Sequence, residues 1–334
     1  MKAIAPGKLI LSGEHAVVHG KPALVMAVDK QAHAAVQTLE EEIIRVAFPD
    51  MLGTHELPTA DLPSLRLRLH ENYDRFLKGA MGIRHVLDTP VELIHYAVAH
   101  FLEKTGRSLQ GGLDIRLTTD LPVGCGMGSS AAVVASVFGG LAALFGIAPS
   151  RDRLYRWTLD VEKLQHGRPS GVDPFITVHG GLVRFQRGET HVLAPPQTPL
   201  LLALTGVPES TTGECVAQVS QAHPKNDPVW SEFERVTDEL TRAFRQGQES
   251  DVSDAVRANH RLLVGIGVVP DKVRRCIESV EAAGGAAKVC GAGAVSGDAG
   301  GIVWIVGGPS AEAACKEHGY DTFPVHADTR GLTF

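Results

Sequence analysis

The sequence has no run rich in lysine and arginine and no pair of cysteines two residues apart. It contains 38 acidic and 32 basic residues, which gives a formal net charge of −6. The missing basic stripe argues against a nucleic-acid-binding protein. The five cysteines are scattered and odd in number, so neither a zinc site nor a disulfide framework is predicted. We expect free thiols, as in a protein of the reducing cytoplasm.

The sequence predicts neither a secretory leader nor a membrane span. The first residues do not open a long apolar segment followed by a cleavage site. The stretch 131–148 is apolar or small and about as long as a membrane span. It contains Gly139, Gly140 and Gly146, however, and no basic anchors flank it closely. We therefore predict a helix buried in a large core and no membrane partner.

The length and composition favour a two-domain globular enzyme. The chain has 334 residues, of which 44% are hydrophobic and 21% charged, so each of two domains can bury a core. A proline-rich break at 195–199 places the predicted boundary between domains 1–192 and 193–334. Strand-like and helix-like segments are mixed in both halves, which predicts an α+β fold. Pro6-Gly7 is predicted to separate two short strands, and 49–63 to form a polar surface excursion.

The glycine segment, residues 122–131, is the most informative part that is present. It reads PVGCGMGSSA. Glycine adopts positive φ and leaves no side chain to block a ligand, and Ser129 or Ser130 is suited to cap a following helix. A helix N-terminus with free N–H groups favours phosphate. The segment lacks a Walker ending. By itself, a tight strand–helix connection explains it equally well.

Four charged residues add a chemical argument: Lys8, Glu14, Glu162 and Asp173. A kinase must hold Mg²⁺ and phosphates, orient a hydroxyl and offset negative charge. Because hydroxyl and carboxylate oxygens bind Mg²⁺, Ser130 and Glu162 make a plausible metal pair. Asp173 lies in a turn-forming segment, 169–174, and is a candidate general base. Lys8 would stabilise charge beside it. Taken singly, each carboxylate is more often a solvated surface group.

Three segments carry a family resemblance. Residues 6–20 read PGKLILSGEHAVVHG and resemble the first motif of the GHMP kinase superfamily, in the form found in mevalonate kinases. The glycine segment is similar to the second motif. Glu162 followed by HGRPSGVD at 166–173 is similar to a mevalonate kinase stretch. Galactokinases carry Thr-Asp-Tyr after the Glu-His of the first motif. The resemblance extends from residue 5 to about residue 300.

The resemblance implies both fold and activity. The N-terminal domain would be of the ribosomal protein S5 domain 2 type and the C-terminal domain ferredoxin-like, with the active site between them. The chain would be a cytoplasmic enzyme that uses ATP and Mg²⁺ to phosphorylate the 5-hydroxyl of mevalonate, in the mevalonate pathway of isoprenoid biosynthesis. A homodimer is left open.

The resemblance also implies a role for each site residue. Asp173 would be the base and Lys8 its partner, while Ser130 and Glu162 would hold Mg²⁺. Glu14 and His15 would lie near the acceptor, although an ordinary hydrogen-bonded histidine is the alternative for His15. The ATP phosphates would be bound by Pro122, Gly124, Gly126, Met127, Gly128, Ser129 and Ser130.

Two departures from the family pattern stand out. The third motif, which we call the third loop (residues 288–301), has Ala294 and Val295 where glycines are expected. Because valine does not readily adopt positive φ, we expect an altered loop path. Glu209 stands where a basic residue is common, so it either changes acceptor binding or lies outside the pocket.

Three alternatives are weighed against this function. Another small-molecule kinase of the superfamily would act on a sugar, homoserine or a relative of mevalonate. A diphosphomevalonate decarboxylase is disfavoured by Lys8, Glu14 and His15. A non-catalytic ligand sensor on the same fold would be expected to have lost the base or the phosphate-binding segment, and neither is lost.

Overall fold

Two β-sheets, one in each half of the chain, frame the molecule in a computed structural model that describes residues 1–49 and 53–334. The strands of the first half are β1 Lys2–Ser12, β2 Ala23–Leu39, β3 Ile43–Phe48, β4 Gly53–Pro58, β5 Gly112–Thr119, β6 Leu182–Gln186 and β7 Glu189–Leu193. Its helices are α1 Leu62–Leu77, α2 Glu92–Thr105, α3 Ser129–Leu144, α4 Arg151–His166 and α5 Val172–His179. Short 3-10 helices cover His15–His19, Thr59–Asp61 and Ile83–His85.

The second half contains β8 Leu200–Leu204, α6 Thr212–Ala222, α7 Val229–Gln246, α8 Glu249–Gly265, α9 Asp271–Ala282, β9 Ala286–Cys290, β10 Ile302–Val306, α10 Pro309–Glu317 and β11 Asp321–Val325. Its strands form an antiparallel sheet in the order β11-β8-β10-β9. This order and the hairpin between β9 and β10 correspond to a ferredoxin-like arrangement, with extra helices between β8 and β9. The α+β prediction is confirmed.

The first sheet has the order β4-β3-β5-β2-β6-β7, and β1 pairs with β2. All neighbours are antiparallel except β3 and β5. The predicted break at Pro6-Gly7 is wrong, because β1 continues through it with a shift in register, as at a β-bulge. Residues 53–58 of the predicted surface excursion are largely exposed, as expected, but they form the edge strand β4 and not a run of turns. Residues 50–52 lie outside the described residues.

Helix α3 is buried against the first sheet, as the sequence predicts. Residues 131–142 are buried, and two glycines let the helix approach the strands closely. A Cβ on Gly139 would lie 2.9 Å from the Cβ of Ala3, and one on Gly140 would lie 2.6 Å from Cγ2 of Val36. Among the helices of the described residues, none is long and apolar enough to cross a membrane.

The two halves share one hydrophobic core. The main apolar cluster includes Leu202 and Trp304 of the second sheet together with strands and helices of the first half. After β11 the chain returns to the first sheet, where Thr333 and Ile4 exchange backbone hydrogen bonds of 2.8 and 2.9 Å. The boundary between 192 and 193 stays a prediction.

Candidate active site

A cavity of about 730 Å³ lies between elements of both halves. Its walls include β1, the glycine segment, the end of α4, the starts of α5 and α6, and the third loop. Six residues predicted for the site line it together: Lys8, Glu14, His15, Ser130, Glu162 and Asp173. Residues far apart in sequence are thus brought to one place.

The glycine segment curves along the cavity wall because three of its residues have positive φ. The φ values of Gly124, Gly126 and Gly128 are 73°, 90° and 72°. A Cβ on Gly128 would lie 2.8 Å from Cγ of Lys8. The backbone N–H of Lys8 donates to the carbonyl oxygen of Met127 over 2.9 Å. The segment is therefore fitted against β1 as well as facing the cavity.

The prediction that Ser129 or Ser130 caps the following helix is wrong. Gly128, in a left-handed conformation, occupies the cap position of α3, and no side chain caps the helix. Both serines lie within the first turn. The first N–H groups of α3 thus have no side-chain acceptor, and Gly128, Ser129 and Ser130 line the cavity, so this helix end suits an anionic group.

Oxygen donors converge where α3 begins and α4 ends. Ser130 Oγ lies 2.5 Å from Glu162 Oε1 and 2.9 Å from Gln165 Oε1. Glu162 is buried, and His166 Nε2 lies 3.4 Å from its Oε2. Burial alone would lower the pKa of His166, but the hydrogen bond and charge of Glu162 outweigh burial and raise it.

These donors fit a magnesium ion that is bound largely through phosphate oxygens. Within residues 1–49 and 53–334, no group of three His, Cys, Asp or Glu residues is placed to hold a metal by itself. Mg²⁺ commonly takes one or two carboxylates and completes its shell with water and substrate phosphates. One carboxylate, one hydroxyl and one amide oxygen beside a phosphate-type segment match that requirement.

Asp173 and Lys8 form an ion pair at the cavity wall. Asp173 Oδ2 lies 3.3 Å from Lys8 Nζ, and the side chains are 34% and 4% exposed. The predicted turn at 169–174 is wrong in part, because α5 already begins at Val172, after Gly171 with φ 85°. Asp173 therefore lies in the first turn of a helix, where the helix dipole favours a carboxylate.

Glu14 and His15 are buried and bound to the second half of the chain. Glu14 accepts a hydrogen bond from the ammonium group of Lys288, and burial, partly offset by Lys288, raises the pKa of Glu14. His15 Nε2 lies 3.0 Å from the carbonyl oxygen of Ala292. Burial lowers the pKa of His15 to about 4, so its ring is neutral near pH 7. Nε2 then donates to this carbonyl, which leaves Nδ1 as an acceptor.

Lys288 is the residue that the sequence interpretation missed. It lies on β9, at the start of the third loop, and its side chain has no exposed surface. A lone lysine inside an otherwise small and apolar strand was the available signal, because a buried ammonium group requires a partner.

Three predicted features lie away from the cavity. Pro122 and Met127 do not line it, and the side chain of Met127 is in the core. Glu209 is exposed and lies beside Gly297, outside the cavity. The carboxylate at position 209 therefore does not contribute to the cavity wall.

The third loop packs beneath the glycine segment. A Cβ on Gly291 would lie 3.5 Å from Cα of Gly126. The N–H of Ile302, just after the loop, donates to the carbonyl oxygen of Cys125. Neither Ala294 nor Val295 has positive φ, so these residues are accommodated without backbone strain.

Comparison with known proteins agrees with this geometry. Residues 92–181 match the family described as GHMP kinases N terminal domain. The chain is 28% identical over 301 residues to the mevalonate kinase of Pyrococcus horikoshii, covering 87% of this chain and 85% of that protein. It is 30% identical to the mevalonate kinase of Gibberella zeae, covering 86% of this chain and 67% of the relative.

Solved structures show the same fold. The mevalonate kinase of Methanococcus jannaschii superposes with a TM-score of 0.80 at 20% identity, over 98% of each chain. The phosphomevalonate kinase of Streptococcus pneumoniae, in complex with phosphomevalonate and AMPPNP, gives a TM-score of 0.75 at 19% identity, over 98% of this chain and 100% of the other. With the sequence relatives, these matches confirm the predicted fold and family: the chain belongs to the GHMP kinase family, and within it is most similar to the mevalonate kinases.

Proposed function

We propose that this protein transfers the γ-phosphoryl group of ATP to the 5-hydroxyl of mevalonate. The observation that carries the proposal is the ion pair between Lys8 and Asp173, which lines the same cavity as Ser130, Glu162 and the glycine segment. Phosphoryl transfer needs a group to accept the hydroxyl proton, a cation beside the reacting oxygen and a phosphate-binding wall. Each of these requirements has a candidate in the cavity.

The proposed reaction begins with the acceptor hydroxyl against Asp173. As its oxygen attacks the γ-phosphorus, Asp173 accepts the proton, and Lys8 offsets the negative charge on the oxygen. The bond from the γ-phosphorus to the bridging oxygen of ADP breaks, and ADP leaves. The N–H groups of the glycine segment and of the first turn of α3 would bind the phosphates.

Magnesium has a defined place in this proposal. Ser130 and Glu162 would hold the ion, and bound Mg²⁺ would neutralise charge on the phosphate oxygens. His166, whose Nε2 lies 3.4 Å from the second oxygen of Glu162, would keep the first oxygen directed at Ser130.

The acceptor assignment depends on the first motif and on relatives named mevalonate kinase. Glu14 and His15 would form the wall of the cavity at the end that binds the acceptor. Because His15 is neutral, its Nδ1 is suited to accept a hydrogen bond from an acceptor hydroxyl. The apolar residues Val17 and Val216, which also line the cavity, would suit a branched aliphatic acceptor.

A coupled assay of ADP release tests the function. We expect MgATP-dependent ADP release with mevalonate, and no comparable release with phosphomevalonate, homoserine or common sugars. Clear release with another acceptor and none above background with mevalonate would overturn the acceptor assignment. ATP binding without turnover of any acceptor would favour a ligand sensor.

We also infer a cytoplasmic protein that acts without nucleic-acid or membrane partners. The inference is supported by five buried cysteines, all with free thiols, as in a reducing compartment. A homodimer stays a prediction, and light scattering of the purified protein measures it directly.

A further inference from the structure

A fully buried ion pair lies behind the acceptor end of the cavity. The side chains of Lys288 and Glu14 are 0% and 1% exposed. The ammonium group of Lys288 donates to Glu14 Oε1, and it also lies 3.4 Å from the carbonyl oxygen of Ile10. Glu14 lines the cavity, whereas Lys288 does not.

Stability alone is a weak explanation for this pair. Transferring both charges from water to the interior is costly, and replacing a buried ion pair by apolar side chains of similar size is often neutral or stabilising. The other residues of β9 are small or apolar: Ala286, Ala287, Val289 and Cys290. A methionine at position 288 would suit such a strand, so burial of the side chain does not explain why a lysine occupies this position.

The contacts of Lys288 indicate that the reason is geometric. Ile10 and Glu14 lie on either side of the end of β1, and one ammonium group binds both. The next residue, His15, is bound to Ala292 of the same third loop. Two consecutive residues of the first motif are thus tied to the segment 288–292. A Lys–Glu pair fixes an orientation that non-directional apolar contacts would not.

That segment also touches the glycine segment. Gly291 lies against Gly126, so the third loop lies between the first motif and the predicted phosphate-binding wall. The glycine segment has separate attachments of its own, from the N–H of Lys8 and the N–H of Ile302. Loss of Lys288 would therefore release Glu14 and leave the neighbouring His15 with its contact to Ala292 alone, while the glycine segment stays in place.

We propose that Lys288 is a positioning residue that acts through Glu14 to hold Glu14 and His15 at the correct distance from the phosphate-binding wall. The proposal rests on the proposed function, because it assumes that Glu14 and His15 form the wall of the acceptor subsite. It expects Lys288 to control affinity for the acceptor and to leave affinity for ATP nearly unchanged.

Steady-state kinetics of Lys288→Met and Val289→Ala test this role. Val289 is the next residue of β9, is fully buried, and packs in a cluster of the second half that contains no cavity residue. Both variants weaken β9, but only Lys288→Met frees Glu14. For Lys288→Met we expect the acceptor KM to rise about tenfold while the ATP KM changes by less than about twofold. For Val289→Ala we expect a lower Tm with both KM values unchanged. Equal KM behaviour in the two variants would overturn the proposal.

A double-mutant cycle covers the case in which an unpaired Glu14 prevents folding. Glu14→Gln combined with Lys288→Met removes both charges, so no uncompensated charge remains inside. If Lys288 acts through Glu14, the acceptor KM of the double variant equals that of the more affected single variant. If Lys288→Met alone does not fold, the acceptor KM of the double variant is compared with that of Glu14→Gln, and equality again supports the proposal. Additive effects would contradict it.

Hydrogen–deuterium exchange separates failure of this proposal from failure of the acceptor assignment. In the peptide covering residues 9–20, we expect exchange in Lys288→Met, or in the double variant, to be faster by about tenfold than in Val289→Ala. Unchanged exchange would overturn the positioning role. This measurement needs no acceptor, and the kinetic cycle can use any acceptor that the unaltered enzyme phosphorylates.

Discussion

Lys8 and Asp173 meet at 3.3 Å, yet one side chain is 4% exposed and the other 34%. The lysine is held inside, with Gly128 packed against its methylene groups. The aspartate lies in the first turn of a helix at the cavity wall. A fixed cation beside an accessible carboxylate is the arrangement required if Asp173 is to receive a proton from a bound ligand.

Replacing Asp173 by asparagine removes the proposed base and keeps the size of the side chain. We expect kcat to fall by about 100-fold to 10,000-fold, while Tm stays within a few degrees of the unaltered protein. Steady-state assays and thermal unfolding measure both. Asp271→Asn is the matched control, because Asp271 also lies in the first turn of a helix and pairs with an exposed arginine. Near-normal turnover of Asp173→Asn would remove the base assignment.

Gly128→Ala tests the close fit between the glycine segment and Lys8. A methyl group there would lie 2.8 Å from Cγ of Lys8, and φ is 72°. Gly146→Ala is the control, since Gly146 has φ 61° with nothing within 4 Å. Both variants carry backbone strain of about 1 kcal/mol. Because only Gly128→Ala displaces Lys8, we expect its kcat to fall by about 100-fold or more, with activity retained in Gly146→Ala. Equal activities would show that the fit is unimportant.

Glu162→Gln tests the predicted metal pair. The amide keeps a hydrogen bond with Ser130 but has no negative charge for Mg²⁺. We expect the Mg²⁺ concentration for half-maximal activity to rise about tenfold or more, because carboxylates bind this ion far better than amides do. Asp160→Asn, on the same helix and paired with Lys163 over 2.8 Å, should leave this requirement unchanged. Mg²⁺ titrations at fixed ATP provide the measurement. An unaltered requirement in Glu162→Gln would contradict the assignment.

Four buried histidines predict that the protein loses stability in mild acid. Burial lowers the pKa of each to about 4, from an unfolded value near 6.5. Between these pH values the unfolded chain binds protons that the folded chain does not. The free energy of unfolding is therefore highest above pH 6.5 and falls as the pH is lowered towards 4. Each histidine changes the free energy of unfolding by on the order of 2 kcal/mol across this range. The residues are His15, His95, His100 and His260.

Urea denaturation at pH 7.5 and pH 5 measures this loss. His166 and Glu14, whose pKa values are raised, act in the opposite direction, but they are two groups against four. His95→Gln, in helix α2 away from the cavity, should reduce the difference in unfolding free energy between the two pH values. An equal difference in the variant would exclude His95 as a contributor.

The sequence interpretation located the site because its residues occur in short contiguous motifs. The glycine segment, Glu162 and Asp173 are each flanked by glycines or helix ends that the local sequence reveals. The cap of α3 and the start of α5 were misjudged for a local reason. Gly128 and Gly171 adopt left-handed conformations at the cap positions. The two serines that follow Gly128 therefore lie inside helix α3, and helix α5 begins directly after Gly171.

Lys288 was missed because its partner lies far away in the sequence. A lysine on a small and apolar strand does not reveal whether it points to solvent or to a carboxylate 274 residues earlier. The same limit applies to Glu209, whose distance from the cavity depends on how the third loop packs.

By itself, the sequence determined the α+β class, the family and the chemical types gathered in the site, because glycine-rich turns and motif spacing are local properties of the chain. Only the tertiary structure decided the partner of Glu14 and the position of Glu209. The Lys8–Asp173 and Glu14–Lys288 pairs, and the exclusion of Glu209 from the cavity, depend on packing between elements distant in sequence. Such contacts form only when burial of the shared core brings those elements together.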